Sequence, residues 1–182
     1  MTRLEFANIL ALDAPLRQRL ATGAIAPFSD VSSAEMPLVE AVTYDGDVLR
    51  DWNFSQGPLI APVSQHRFAP GVQLTRLQLA IALVRALGKQ AQAEALTGTV
   101  VTADYHGQKI PVSDNDQIPP AFARYVQIAL DDEILNASFS LTQGANDFQP
   151  VITAKVNPGG SVQRDFLAYS LAHFNQHFAT GQ

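Results

Sequence analysis

Three arginines stand in matching surroundings, as Thr2-Arg3-Leu4-Glu5, Thr75-Arg76-Leu77-Gln78 and Gln163-Arg164-Asp165-Phe166. A guanidinium is always charged and presents a planar fork of donors, so it can grip an acidic ligand group bidentately. The same fork can instead close an ion pair inside the chain, and Asp30 and Asp114 are the acids placed to do so. For Arg76 the two readings stand level. For Arg164, whose motif is altered, the internal pair leads, and Arg3 depends on a half-module that would precede it. The candidate ligand-binding residues are therefore Arg76, Arg164, Arg3, Thr75, Asp30 and Asp114.

Other chemistry finds less support. His173 and His177 lie four apart and share a helix face, as metal ligands can. The helical zinc motif would need a glutamate at 174, where this chain has Phe174. Asp131-Asp132-Glu133 reads as a solvated helix edge rather than a glycosidase acid–base pair. Asp114-x-Asp116 lacks the remaining ligands of a calcium loop. Trp52, Phe54, Tyr105 and Phe148 can stack on sugars where exposed or plug loop ends, and plugging is the simpler reading. There is no Gly-x-Ser-x-Gly elbow and no glycine-rich phosphate loop. Neither catalytic residues nor a metal or cofactor is expected.

The elements that must position the arginines follow from a repeat. Arg67–Leu83 aligns without gaps on Lys155–Leu171, and its second half aligns on the segment starting at Thr2. Pro70-Gly71 and Pro158-Gly159 are turn dipeptides. Thr75 with Gln78, and Thr2 with Glu5, make capping boxes, while Ser161 is the expected cap of the third copy, helped by Asp165. Apolar faces follow: Phe6, Ile9, Leu10 and Leu12; Leu79, Ile81, Leu83, Val84 and Leu87; Leu167, Leu171 and Phe174. Gly88 is the expected stop of the middle helix. A short helix is expected around 36–42 and a longer one around 118–134, with Pro119 and Pro120 in its first turn. Residues 51–66 read as a loop. Hairpins are expected around His106-Gly107 and across 138–154.

The composition is permissive. The chain has 182 residues, net charge −5, 47% hydrophobic and 16% charged residues, and no cysteine, which excludes disulfides and thiolate chemistry. Nine arginines and three lysines are scattered singly, unlike a nucleic-acid surface. No apolar run approaches the roughly 20 residues of a membrane span, and Glu5, Asn8 and Asp13 interrupt any signal-peptide core.

Phe28-Ser29-Asp30-Val31, a short helix, a variable loop, then Phe68-Ala69-Pro70 running into Thr75-Arg76-Leu77-Gln78, resembles the S-layer homology (SLH) domain. The resemblance implies a mainly α fold, a pseudo-threefold SLH-like helical assembly with small β-hairpin insertions. It divides the chain into the second half of a first module (1–27), a second module (28–97) and a third with hairpin insertions (98–182). It also implies a noncatalytic cell-envelope attachment module, secreted or at the cell surface. Such a module binds an acidic cell-wall polysaccharide in grooves between modules, through the arginines. The family's tryptophan near the start of the first helix is absent, with Met36-Pro37-Leu38 and Pro119-Pro120-Ala121-Phe122 in its place. The half-module at the start fits either an excised fragment or a lost prong. Divergent copies also fit an accessory protein-interaction or stabilising domain linked covalently to a secreted protease or glycosidase.

Overall fold

Thr2 and Thr75 both open helices. In the computed structural model, which describes residues 1–13, 28–43, 57–143 and 148–180, each accepts a bond from the amide three residues on. The side chains of Glu5 and Gln78 reach back to the two cap amides, so both capping boxes are complete. They start α1 (Arg3–Asn8, continued by a π-helical turn Ile9–Asp13) and α3 (Arg76–Ala86). Between them lies α2 (Met36–Thr43). Gly88, at a φ of 75°, takes the left-handed position that stops α3, with its amide on the Arg85 carbonyl.

A short α4 (Gln90–Ala95) follows, which the sequence pattern did not signal. Then comes the hairpin β1 (Thr102–Tyr105) and β2 (Gln108–Pro111), turning at His106 and Gly107, both with positive φ. The helix expected over 118–134 is shorter. Two 3-10 turns lead in, Asn115–Gln117 and Pro120–Phe122, with Pro119 capping the second and Pro120 opening it, and the α-helix proper is α5 (Ala123–Asp131). The second hairpin is β3 (Ser138–Thr142) with β4 (Val151–Lys155), and α6 (Arg164–Thr180) ends the described chain.

These elements do not make the mainly α, pseudo-threefold helical assembly that the resemblance implies. The protein is mixed α/β: the described residues are 45% helical, counting the π- and 3-10 turns with six α-helices, and they carry two antiparallel two-stranded sheets. The reason is packing. Residues 98–112 and 138–155 are not appendages, because Val101, Ala103, Ile110, Val112 and Ala154 are buried in the same apolar cluster as the helices. That cluster runs from Phe6 through Phe68, Leu79 and Leu83 to Ile134 and Phe174. The sheets also touch: Val112 forms a parallel bridge with Ala154, and the Ser113 amide donates to the Ala154 carbonyl at 2.8 Å. Among the described residues no helix is long and apolar enough to cross a membrane.

Where the repeated segments meet, three residues at equivalent repeat positions close a ring. The Leu74 amide donates to the Met1 carbonyl (3.0 Å), the Val162 amide to the Leu74 carbonyl (2.9 Å), and the Met1 ammonium to the Val162 carbonyl (3.1 Å). Bridges Thr2 to Gln73 and Thr75 to Ser161 flank it. Ser161 is thus spent on pairing and lies too far upstream to cap α6; Asp165 instead accepts from the Phe166 amide.

Candidate functional site

The helix-opening arginines sit at two junctions built alike. An α-helix leaves its first amides without internal partners. Those of Arg3 and Leu4 donate to the carbonyls of Val72 (2.9 Å) and Pro70 (3.2 Å), in the Pro-Gly turn of the next copy. Those of Arg76 and Leu77 donate to Gly160 and Pro158, both at 2.9 Å. The guanidinium then reaches past the turn. Arg3 Nε bonds the Phe68 carbonyl (2.9 Å) and Nη2 that of Ala61 (2.8 Å). Arg76 Nε bonds the Val156 carbonyl (2.7 Å), and Nη2 bonds both the carbonyl and the side-chain Oδ1 of Asn136.

The two aspartates hold the other side of the same peptide. Asp30 accepts from the amides of Phe68 (3.0 Å) and Ala69 (2.8 Å), and Asp114 from those of Val156 (3.1 Å) and Asn157 (2.6 Å). Ala69 and Asn157, with φ of 59° and 54°, are the left-handed residues that these carboxylates fix in place. Burial pushes the Asp30 carboxyl up. The Phe68 and Ala69 amides, with Arg67 at 3.8 Å, together outweigh it and hold the group below its ordinary range. Burial lowers the basicity of Arg3 and Arg76, each opposed by the charge of its own aspartate, Asp30 or Asp114.

The arginines differ in what they leave free. Arg3 is 2% exposed and lies over the Phe68 ring at 4.8 Å; it is part of the core. Arg164 is the opposite case, with a side chain 89% exposed and one long ion pair to Glu5 at 3.8 Å. Arg76 lies between these extremes. Its guanidinium stacks on Phe166 at 4.0 Å, and its Nε and Nη2 are committed while Nη1 has no partner among the described residues. A run of rings continues along α6 from that contact, Phe166 to Tyr169 (6.1 Å) to His173 (4.5 Å), ending on Glu133 at 3.4 Å from His173 Nδ1. Burial, then the Glu133 charge, raises the Tyr169 hydroxyl above its ordinary range.

No family model, curated protein or solved structure matches this chain. The remaining sequence candidates separate as follows. Thr75 caps α3, its hydroxyl accepting from the Gln78 amide at 3.2 Å. The three acids at the end of α5 face three different elements: Asp131 pairs with Lys109 (3.0 Å), Asp132 with Lys89 (2.6 Å) and Glu133 with His173. Among the described residues no group of three or more potential ligands is arranged to hold a metal ion. Tyr105 packs against Phe139 at 5.0 Å, as the plugging reading expects, whereas Phe148 is fully exposed. Trp52 and Phe54 lie outside the described residues. Sequence reasoning missed Phe166, Tyr169 and Asn136. The spacing of Phe166, Tyr169 and His173 at i, i+3 and i+7 was the available signal for a common helix face.

Proposed function

We propose that the chain is a noncatalytic module of SLH type, acting secreted or at the cell surface, that attaches a larger protein to an acidic cell-envelope polysaccharide. The observation that carries this reading is the state of Arg76. Of five guanidinium donors, three are spent on holding the fork rigidly between Val156 and Asn136, and the Nη1 pair remains. A cation fixed in this way loses little rotamer freedom when a carboxylate arrives, and an acidic sugar substituent would complete its coordination. Arg3, in the core, is not part of such a site.

Sedimentation of the protein with purified wall sacculi and their released glycan tests the reading. Arg76→Lys keeps the charge and loses the fork; affinity is expected to fall about tenfold, the worth of one charge-assisted hydrogen bond. Failure of the parent protein to bind overturns the proposal. A second reading, an accessory domain that stabilises a secreted enzyme, is favoured by the commitment of Arg3 and most of Arg76 to internal carbonyls. Under it, Arg76→Lys shifts Tm and nothing else.

A further inference from the structure

We infer that β3 is a self-association edge, along which two copies of this chain pair antiparallel about Ser140. β3 bonds to β4 on one side, and β4 meets Val112 through its bridge at Ala154, so among the described residues β3 is the outer strand. Natural edge strands are blunted by a lysine, a proline or a bulge that discourages further pairing. β3 reads Ser138-Phe139-Ser140-Leu141-Thr142, with no charge and no proline, and its register against β4 is regular over all five residues. Among the described residues no main-chain bond from any other element reaches it.

Self-complementarity identifies the occupant. Antiparallel pairing centred on Ser140 sets Ser138 opposite Thr142 of the second copy, Phe139 opposite its Leu141, and Ser140 opposite Ser140. Hydroxyl then meets hydroxyl on one face, and apolar meets apolar on the other, both of them favourable cross-strand pairs. Leu141, at present 57% exposed, gains a ring beside it, and Phe139 is already seated against Tyr105. No like charges are brought together along the strand. A five-residue edge is small against the roughly 1,200–2,000 Å² of a stable interface, so the association is weak and concentration-dependent.

A chain without cysteine makes the register directly readable. A twofold axis at Ser140 brings the two Cβ atoms to about 5 Å, close enough for a disulfide, whereas the two copies of residue 138 lie roughly 14 Å apart. Sedimentation of the parent is expected to show mass rising with concentration from 19.7 kDa towards about twice that value. Ser140→Cys is expected to cross-link on mild oxidation at least about tenfold faster than Ser138→Cys. Ser140→Lys is expected to remain monomeric with an unchanged circular dichroism spectrum. A parent mass of 19.7 kDa at every concentration, equal cross-linking at 138 and 140, or a dimer that survives Ser140→Lys overturns the inference.

Discussion

A cation at the first turn of a helix opposes the helix dipole, yet the chain places one there at Arg3 and again at Arg76. Each is compensated by carbonyl oxygens of the following copy and by the field of one aspartate. Asp30 and Asp114 matter as much as the arginines, because each pins two consecutive amides beside a left-handed residue. Asp30→Ala is expected to cost about 3 kcal/mol, since hydrogen bonds to a charged group contribute about 1.5–3 kcal/mol each. The pH dependence has a definite sign. A carboxyl held below its unfolded value of about 3.9 contributes stability that is complete above that pH and is lost as pH falls through the folded value. Urea midpoints measured between pH 5 and pH 2 should therefore drop more steeply for the parent than for Asp30→Asn. Residue types pointed to Asp30 and Asp114 as neighbours of Arg3 and Arg76, but the expected ion pairs do not form among the described residues: arginine and aspartate hold opposite sides of one peptide. Residue types did not reveal that the forks bond main-chain oxygens, because no side-chain pattern records where a carbonyl points.

At the scale of elements, legibility tracked how local the cause is. Capping boxes, the Gly88 stop and the His106-Gly107 turn depend on a few adjacent residues, and all are present. Thr75 caps α3 while the Arg76 and Leu77 amides go to another copy, so Thr75→Ala removes one well-defined bond. A loss of about 1 kcal/mol is expected, read as a shift in the urea midpoint with unchanged m-value. Pro119-Pro120 misled the reading of α5: apolar periodicity from Ile118 onwards suggested one helix, but proline chemistry favoured short 3-10 turns before Ala123. The face of α6 carrying Phe166, Tyr169 and His173 was hidden for a different reason. Its partners, Arg76 and Glu133, come from distant parts of the chain.

For the whole molecule, the repeat located the junctions correctly but not the fold class. An alignment scores what recurs, and Ala103, Ile110 and Ala154, which bind the sheets into the core, belong to segments without counterparts. Because the apolar cluster is continuous across the repeat copies, unfolding is expected to be one transition. Calorimetric and van't Hoff enthalpies should agree, and two resolved transitions would mean that the copies melt separately. The ring of Met1, Leu74 and Val162 also gives the molecule a mechanical polarity. Tension entering at residue 1 meets the ring bonds and the Arg3 and Leu4 bonds to the next turn together, so they share the load. Tension entering near residue 180 meets the last turns of α6, which are partly exposed and open one after another. A tether pulling through residue 1 thus finds a clasp, and one pulling through residue 180 finds a zip.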